Sequence, residues 1–549
     1  MEKIWLKEYP NRVPAEIDIN TYTSFVEILE KSMEQHGHLV AFECMGTKLS
    51  FAQLDILTKN FASYLTGTLG LVKGDRVAIM LPNLLQYPVA MFGIMRAGLV
   101  VVNVNPLYTP RELEYQLQDS GALAIVLLDG LCQAHQSLLA RAELKAVITT
   151  PTAGASILPE NLNDVAQTGA ASGNAVTGLN VIELRTALAT GGKHPFTRVA
   201  LTHDDNAFLQ YTGGTTGLSK GAQLTQGNIT ANVLQIRLWM LDPGNGTEEC
   251  FITMLPLYHI MALTVSCLLS VALGSKNVLF PNPRDMDGCI TELKKHRFTV
   301  MLGVNTLFNG LLNTPAFAEV DFSALKLTIG GGAAVQQVVA ERWKKLTGND
   351  LSEAYGLSET SPGATFSPKL KWDGTIGVPL PSTIVSLRDD DNRPVPLGSP
   401  GELCIKGPQV MRGYWNKPKE TEDAFTPDGY FKTGDIGIMN ERGYFKLVDR
   451  KKDMILVSGF NVYPTEIEAV VAMHEGVLEC ACVGVPDEKS GEVPKVYIVR
   501  KDPGMDINAI EGHCRKHLAG YKLPKHFEFR DDLPKSNVGK ILRRELRES

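Results

Sequence analysis

The sequence predicts an α/β protein of several domains, and three observations carry that prediction. The first is its length, since 549 residues exceed what one hydrophobic core usually organises. The second is an alternation of short apolar strands with amphipathic helices near the N-terminus, which is typical of a parallel sheet. The third is a change of pattern near Thr383 and again at Asp449. We therefore expect a large N-terminal region, residues 1–448, and a separate C-terminal domain, residues 449–549.

Local signals predict the first elements one by one. Ser24 followed three residues later by Glu27 forms a capping box, which predicts that a helix begins after Ser24. Thr109 with Pro110 at the first helical position predicts another helix start. Short apolar runs predict strands around these helices. The predicted strands are residues 76–81, 99–104 and 123–128, and a further helix is predicted over residues 86–97.

The later chain contains three further patterns. Residues 149–178 are rich in small and polar side chains without periodicity, which predicts a surface excursion. Residues 207–211 predict a strand, and Thr225 predicts the cap of the helix that follows. From Thr383 onward, short runs separated by turns predict a small antiparallel unit, with strands at residues 384–387 and 402–406.

Composition excludes several classes of protein. The formal net charge of −6 argues against a general nucleic-acid binder, because such proteins carry a basic excess. The nine cysteines contain no C-x-x-C pair and indicate a reducing compartment. Residues 260–274, the longest apolar stretch, are too short for a membrane span, and the N-terminus has no secretory signal. We therefore expect a cytoplasmic protein.

A loop rich in glycine and hydroxyl groups follows the strand at residues 207–211. Glycines let backbone N–H groups approach an anion, hydroxyls add donors and lysine adds charge, so the loop indicates a triphosphate site. It fails the Walker pattern because Gly221 follows Lys220. A hydrolase elbow at Ser219 and a flexible surface loop are the alternatives. The expected phosphate-binding residues are Thr212, Gly213, Gly214, Thr215, Thr216, Gly217, Ser219 and Lys220.

Residues 211–221 resemble the signature of the adenylate-forming superfamily, which includes acyl-CoA synthetases, luciferases and peptide-synthetase adenylation domains. Residues 4–6, 82–88 and 534–546 are most similar to bacterial long-chain fatty acid–CoA ligases. The resemblance implies a large N-terminal region of two packed α/β sheets plus a small β-barrel unit, with a smaller mobile α+β C-terminal domain. It also implies that fatty acid, Mg-ATP and CoA are converted to acyl-CoA, AMP and pyrophosphate.

The resemblance also implies a nucleotide site. Tyr355 would stack on adenine, and Glu359 together with Thr212 would hold Mg²⁺, a cation that prefers oxygen ligands. Ser358 stands where the family usually has threonine. Without the resemblance, a core tyrosine and a solvated glutamate are the ordinary interpretations of these residues. The nucleotide-binding positions implied are Gly331, Gly332, Ala333, Ala354, Tyr355, Gly356, Ser358, Asp435, Arg450 and Lys452.

The catalytic assignment implied by the resemblance centres on Lys540, whose cation would bridge the carboxylate and the α-phosphate of ATP. His259 would lie beside these reacting groups, although a core histidine is the alternative. The apolar stretches after His259, together with residues 303–308, are expected to line an acyl tunnel, with ordinary core packing as the alternative. Asp449 matches the hinge about which the C-terminal domain turns, which would bring Gly459 and Phe460 to CoA.

The sequence leaves several rival interpretations open. The acid could be a medium-chain or aryl carboxylate, or the acceptor a carrier protein. A lipid-binding or membrane-recruited homologue without turnover is the non-enzymatic alternative. Residues 513–549 hold ten basic and five acidic side chains, which is compatible with peripheral contact at the inner face of the cytoplasmic membrane but equally with binding of ATP and CoA phosphates. The oligomeric state is open, with a homodimer among the possibilities.

Overall fold

The computed structural model describes residues 3–152, 180–212, 219–240, 248–536 and 539–547. Its strands are β1 Val40–Cys44, β2 Thr47–Ser50, β3 Arg76–Met80, β4 Val100–Asn103, β5 Ala122–Leu128, β6 Ala146–Thr150, β7 Val181–Glu183, β8 Asn206–Thr212, β9 Lys220–Thr225, β10 Cys250–Thr253, β11 Lys276–Leu279, β12 Val300–Gly303, β13 Leu327–Gly330, β14 Leu351–Gly356, β15 Gly363–Phe366, β16 Val378–Pro379, β17 Ile384–Arg388, β18 Gly401–Lys406, β19 Gly413–Tyr414, β20 Phe431–Met439, β21 Phe445–Arg450, β22 Ile455–Val457, β23 Phe460–Val462, β24 Val477–Asp487, β25 Gly491–Arg500 and β26 His526–Arg530.

The α-helices of the described residues lie between these strands. They are α1 Phe25–Gln35, α2 Phe51–Ser63, α3 Gln86–Arg96, α4 Pro110–Ser120, α5 Asp129–Ala134, α6 Gln136–Leu139, α7 Leu184–Gly191, α8 Gln226–Met240, α9 Ile260–Ala262, α10 Leu269–Ala272, α11 Met286–Leu293, α12 Asn305–Leu312, α13 Gln337–Thr347, α14 Pro418–Ala424, α15 Pro464–Ala472, α16 Ile507–His517 and α17 Arg543–Arg547. None of the helices formed by the described residues is long and apolar enough to cross a membrane.

Two large sheets organise the N-terminal region. Within the described residues one sheet has nine strands in the order β16-β15-β14-β13-β12-β10-β11-β1-β2, and the other has eight in the order β19-β9-β8-β4-β3-β5-β6-β7. The pairs β3/β4, β3/β5, β4/β8, β5/β6 and β6/β7 are all parallel. The parallel sheet predicted from the alternation of strands and helices is therefore confirmed.

A shared apolar core joins the two large sheets. Phe92 on α3 contacts Phe25 of α1 and Phe42 of β1, with ring centroids 6.5 Å apart in each pair. Helix α2 packs closely on α3, since a Cβ added at Gly93 would lie 2.8 Å from the ring of Phe61. Because side chains from both sheets and from the helices between them belong to one buried cluster, the N-terminal region packs as a unit.

The local capping signals are confirmed with one correction. The Ser24 hydroxyl accepts a hydrogen bond from the backbone N–H of Glu27 and caps α1. The Glu27 carboxylate, however, accepts from the backbone N–H of Thr23 instead of returning to Ser24, so the predicted capping box is incomplete. At α4 both halves of the box form between Thr109 and Glu112.

The connection after β8 differs from the sequence prediction. We expected a loop that led from a strand directly into a helix capped by Thr225. The cap is present, with Thr225 Oγ1 accepting from the N–H of Asn228 at 3.1 Å. Between the loop and the helix, however, residues 220–225 form β9, which pairs antiparallel with β8. The loop therefore connects the two strands of a hairpin.

The excursion predicted at residues 149–178 is only partly within the described chain. Thr149 and Thr150 belong to β6, where they pair in parallel with β5, so the predicted excursion begins too early. Residues 153–179 lie outside the described residues.

The remaining two sheets of the described residues form the end of the chain. The small antiparallel unit has four strands in the order β17-β18-β20-β21. The C-terminal domain contains β23-β22-β25-β24, with β26 paired to β25. Asp449 and Arg450 are the last two residues of β21, so the strand of the small unit leads into the C-terminal domain. The boundary at residue 449 stays a prediction.

We expect Thr109→Ala to destabilise the first turn of α4 by about 1 kcal/mol, the usual cost of a lost N-cap. The Thr109 hydroxyl accepts a hydrogen bond from the backbone N–H of Glu112 at 3.4 Å. The backbone N–H of Thr109 in turn donates to the Glu112 carboxylate at 2.8 Å. Hydrogen exchange of the α4 amides measures the local opening free energy. Gln118→Ala, at an exposed position of the same helix, is the control, and equal exchange in both variants would contradict the prediction.

Candidate functional site

Parts of three sheets contribute to the candidate site. Residues 331–333 follow the end of β13, and Tyr355 lies near the end of β14 in the nine-stranded sheet. Thr212 ends β8 in the eight-stranded sheet, and Asp435 lies in β20 of the small antiparallel sheet. Strands β13 and β14 are parallel neighbours, so their carboxyl ends lie at the same edge of the sheet. In open α/β sheets, ligands bind in the crevice outside this edge.

Asp435 is held between a phenol and a guanidinium. The Tyr355 hydroxyl donates a hydrogen bond of 2.7 Å to Asp435 Oδ2, and Arg450 Nε lies 3.2 Å from Oδ1. Asp435 and Arg450 are cross-strand partners on β20 and β21. Burial, and then the Asp435 carboxylate, raise the pKa of Tyr355 well above its ordinary value, so the phenol stays protonated and remains a donor. The predicted nucleotide residues Tyr355, Asp435 and Arg450 are thus brought together.

Glu359 is a buried carboxylate in the one-turn 3-10 helix Ser358–Thr360. Its Oε1 accepts a hydrogen bond of 2.8 Å from the Tyr414 hydroxyl, and Lys220 Nζ lies 4.7 Å from the centre of the Tyr414 ring. Burial raises the pKa of Glu359, and Tyr414 and the more distant cations Arg450 and Lys220 offset this only in part. A divalent cation fits this site, because it would compensate the buried negative charge with the oxygen ligand it prefers.

His259 is the N-cap of α9. It follows residues 253–257, whose backbone is hydrogen-bonded to the side chain of Asn83. The Asn83 side chain donates to the carbonyls of Thr253 and Leu255 and accepts from the N–H of Leu257, at 3.2, 2.9 and 2.8 Å. Burial, and then the cation of Lys540, lower the pKa of His259 to about 4. The imidazole is therefore neutral at pH 7 and can act through hydrogen bonds but not through charge.

Lys540 reaches this site from the C-terminal domain. Burial, and then the Arg450 guanidinium, lower the pKa of Lys540 to about 8, while Asp435 acts in the opposite direction. Lys540 lowers the pKa of His259, and Arg450 and Asp435 shift the pKa of Lys540, so these four groups lie within electrostatic range of one another. The sequence places these residues up to 281 positions apart, from 259 to 540. The fold brings them into one cluster.

A turn fixes the backbone on either side of Lys540. The Ser536 hydroxyl accepts from the Lys540 N–H at 3.1 Å, and the Ser536 N–H donates to the Lys540 carbonyl at 2.7 Å. Lys535 and Ile541 face each other as an isolated antiparallel bridge. Residues 535–536 and 539–541 therefore face each other across a short antiparallel bridge and are here called the lysine loop; residues 537 and 538 lie outside the described chain.

The segment expected beneath adenine is closely packed. A Cβ added at Gly331 would lie 2.9 Å from Met261 Cε and 3.3 Å from the Ala354 carbonyl, and Gly332 has φ +74°. Neither position tolerates a side chain easily. Ala333 continues this turn, and Gly356 ends β14 beside Ser358. The roles of these residues in binding adenine stay predictions.

The predicted phosphate loop is only partly within the described chain. Gly213, Gly214, Thr215, Thr216 and Gly217 lie outside the described residues. At the ends of the loop the Ser219 hydroxyl donates to the Thr212 carbonyl at 2.7 Å. Because Ser219 leads into a strand and its hydroxyl is already a donor to backbone, the structure excludes the hydrolase elbow, which needs an exposed serine on a strand-to-helix turn.

Two predicted residues lie apart from the groups around Lys540. Gly459 is on the turn between β22 and β23, and Phe460, the first residue of β23, is 59% exposed with its ring 5.2 Å from that of Tyr521. Lys452, in contrast, lines an open cleft with Thr433, Gly434, Arg450 and Lys451. In this orientation of the C-terminal domain, Gly459 and Phe460 do not line the site.

Two features of the site were missed or wrongly assigned from the sequence. Tyr414, which holds Glu359, was not predicted, because no local pattern links positions 55 residues apart. Two of the residues expected to line a tunnel have other contacts: Phe308 packs in the core against Trp343, with ring centroids 4.9 Å apart, and Thr306 contacts the lysine loop. The core alternative therefore describes Phe308, and a tunnel lined by the rest of residues 303–308 stays a prediction.

The fold places a C-terminal domain that carries Lys540 against a large N-terminal region, and the family models identify the class of enzyme with this architecture. The chain belongs to the AMP-binding enzyme family: the model of the AMP-binding enzyme matches residues 29–415. The model of the AMP-binding enzyme C-terminal domain matches residues 466–540. The family recognised from residues 211–221 is therefore confirmed.

Individual relatives are similar over the whole chain. A Long-chain-fatty-acid–CoA ligase of Yersinia pestis is 50% identical over 567 residues, which cover 100% of this chain and 98% of the relative. A Feruloyl-CoA synthase of Amycolatopsis sp is 33% identical and covers 93% of this chain and 96% of the relative. The crystal structure of ATP-bound MatB from Rhodopseudomonas palustris is 30% identical, with a TM-score of 0.82 over 95% of this chain and 98% of that one.

We expect Lys540 to titrate near pH 8, because burial and Arg450 lower its pKa to about 8, whereas an ordinary lysine titrates near about 10.4. The ammonium is charged below this pH and loses its charge as the pH rises through it. Competitive amine acylation over a pH series, followed by peptide mass spectrometry, measures the change. Lys31, whose pKa the Glu27 carboxylate raises, is the internal control. Simultaneous titration of Lys540 and Lys31 would contradict the assignment.

Proposed function

We propose that the chain is an ATP-dependent, AMP-forming ligase that joins a long-chain fatty acid to CoA. One observation carries the chemistry: the C-terminal domain docks on the N-terminal region, with the carbonyl of Gly539 2.8 Å from Thr306 Oγ1, and Lys540 lies within electrostatic range of His259, Asp435 and Arg450. The name of the relatives that are 50% identical over the full length supplies the substrate class. ATP and CoA are the co-substrates, and Mg²⁺ is the metal cofactor.

In the first half-reaction the fatty-acid carboxylate attacks the α-phosphorus of ATP, acyl-AMP forms and the bond to pyrophosphate breaks. Two anions must approach each other, and the Lys540 cation stabilises the charge that develops between them. A preorganised group in such a position typically contributes about 2.7–4 kcal/mol. The neutral His259 imidazole orients the reacting oxygens by hydrogen bonding, which needs no net charge.

The other predicted residues position the nucleotide. Asp435 and Arg450 bind the ribose, since a carboxylate can accept from two hydroxyls. Residues 212–220 receive the phosphates. Glu359 and Thr212 would hold Mg²⁺, which would neutralise phosphate charge when bound. The base is bound by Tyr355 and by the segments 331–333 and 354–358.

In the second half-reaction the sulfur of CoA attacks the acyl carbonyl, the thioester bond forms, AMP leaves and the thiol proton is lost to solvent. No nucleophile of the protein is needed, because the thiol itself attacks the mixed anhydride. We infer that the C-terminal domain turns about Asp449 and brings Gly459 and Phe460 to the pantetheine arm. Gly459 has φ +85°, and a Cβ added there meets no atom within 4 Å, so the turn can approach a ligand closely.

An aryl acid is the second candidate substrate, and the similarity to a Feruloyl-CoA synthase supports it. A carrier-protein acceptor and a lipid-binding protein without turnover have less support. Lys540, Glu359 and Asp435 are all retained, and the groups around Lys540 are assembled in one cluster. A protein that only bound lipid would not need this arrangement.

We expect the purified protein to form pyrophosphate and acyl-CoA with a maximum at long saturated acids, because each buried methylene contributes about 0.8 kcal/mol. The measurement uses ATP, Mg²⁺, CoA and acids of increasing chain length, with ferulate as the aryl acid. A maximum at ferulate would favour the aryl alternative. Pyrophosphate release without acyl-CoA would indicate another acceptor, and inactivity with every acid would contradict the proposal.

Lys540→Ala provides the mechanistic control for this assay. The variant should lose about 10²–10³-fold in acyl-AMP formation, the range for one charge-stabilising group, and should still convert preformed acyl-AMP and CoA to acyl-CoA. Lys516→Ala, on the exposed face of α16, is the matched control for loss of a lysine from this domain. Equal activity of the two variants would remove Lys540 from the mechanism.

Peripheral contact with the inner face of the cytoplasmic membrane is a weaker proposal, motivated by the ten basic residues of segment 513–549. Seven of these side chains already form ion pairs within the protein, which leaves fewer for anionic headgroups. The paired residues are Arg515, Lys522, Lys525, Arg530, Lys535, Arg543 and Arg547.

Flotation with anionic liposomes at two salt concentrations tests membrane contact. We expect weak binding at low salt that is lost at high salt, because screening weakens attraction between exposed charges. Liposomes of neutral lipid are the control. Absence of binding to anionic liposomes at low salt would end this proposal.

A further inference from the structure

Helix α12 of the N-terminal region carries two side chains that bond to the backbone of the C-terminal domain. Thr306 Oγ1 donates a hydrogen bond of 2.8 Å to the carbonyl of Gly539. Asn309 Nδ2 donates one of 3.2 Å to the carbonyl of Leu478 in β24. Gly539 directly precedes Lys540, so one bond holds the lysine loop and the other holds the sheet behind it. We call this pair of bonds the α12 latch.

The Asn309 donor is oriented before the domains meet. Its Oδ1 accepts from Arg342 and from Asn313, each at 3.2 Å. Because guanidinium and amide donors both face Oδ1, the Nδ2 group must point the other way, toward Leu478. Asn309 is buried, so its orientation is also restricted by packing.

The Thr306 contact requires a close approach of the backbone. Gly539 has φ +77°, and a Cβ added there would lie 2.6 Å from Thr306 Oγ1 and 3.3 Å from Val304 Cγ2. The lysine loop is therefore seated directly on the first turn of α12. Neither Thr306 nor Asn309 forms a hydrogen bond to the Lys540 amine among the described residues, so both act on it through its backbone.

We propose that Thr306 and Asn309 are positioning residues, which hold the C-terminal domain in the orientation that delivers Lys540 and so favour acyl-AMP formation over thioester formation. This proposal rests on the proposed function for its kinetic part. The physical reason is that a small displacement of a reacting group costs a large factor in rate. The latch bonds belong to this orientation alone, because rotation of the domain separates the two carbonyls from α12.

Thr306→Val tests the first bond, since it keeps the size of the side chain and removes the donor. We expect acid-dependent ATP–pyrophosphate exchange to fall about twofold to tenfold, the range for one hydrogen bond. Formation of acyl-CoA from preformed acyl-AMP should not fall. Thr306→Ser keeps the hydroxyl and should behave like the wild type. Thr314→Val is the matched control, because the Thr314 hydroxyl donates within its own segment to the Gly310 carbonyl.

Asn309→Ala tests the second bond and should show the same selective loss. Asn349→Ala is its matched control, because the Asn349 amide donates within its own segment to the Thr347 carbonyl and has no part in the latch. An equal loss in both half-reactions, or equal behaviour of Asn309→Ala and Asn349→Ala, would indicate a purely structural role and overturn the proposal. The same follows if Thr306→Ser is as impaired as Thr306→Val.

A second measurement is independent of catalysis. Without substrates, the acylation rate constant of the neutral Lys540 amine, corrected for its fraction by the pH series, should be larger in Thr306→Val than in the wild type by up to the same twofold to tenfold factor. The physical reason is that the undocked domain exposes the lysine, and the correction is needed because undocking also raises its pKa. Thr306→Ser and Thr314→Val should label at the wild-type rate. If the wild type accepts no acid, the proposed function fails, yet the labelling rates still decide whether the latch exists. Unchanged labelling in Thr306→Val would disprove it.

Discussion

The ion pairs of Arg543 hold the C-terminal segment in place, and the position of Lys540 depends on them. Three residues after Lys540, the Arg543 guanidinium contacts Asp449, Asp453 and Glu468 at 3.0, 3.5 and 2.5 Å. Burial acts to lower the pKa of Arg543, but the carboxylates outweigh it and raise the pKa. Removing one member of a buried ion network typically costs about 3–5 kcal/mol. The lysine loop is therefore tied firmly to the residues at the proposed hinge.

Local charge explains how a chain with a net charge of −6 can serve anionic substrates. Lys220, Arg450 and Lys540 come from three separate stretches of sequence and lie at one crevice, where partial burial strengthens their electrostatic effect. Bringing these cations together has an energetic cost, because they repel one another. It is seen at Lys540, where burial and the Arg450 guanidinium lower the pKa to about 8. Anionic substrate groups would offset the repulsion between these cations.

The sequence predicted features that depend on neighbours in the chain and on the family motifs. The cap at Thr109, the parallel strands and the fold class follow from spacing and resemblance. Strand β9 was missed because a glycine-rich loop precedes it and a helix cap ends it, which leaves only six residues. Thr306 was included in the expected tunnel lining at residues 303–308, whereas its hydrogen-bond partner lies 233 positions away. Such contacts have no local signal.

The strong and the weak interactions of the C-terminal domain have different consequences for its orientation. The Arg543 network stabilises the domain internally, whereas the α12 latch has two neutral hydrogen bonds, worth about 1–3 kcal/mol together. Reversing a two-state equilibrium from 1:99 to 99:1 requires about 5.5 kcal/mol. The latch alone can therefore favour one orientation without locking it. A domain that must deliver Lys540 in one step and withdraw it in the next requires this combination of a rigid body and a weak contact.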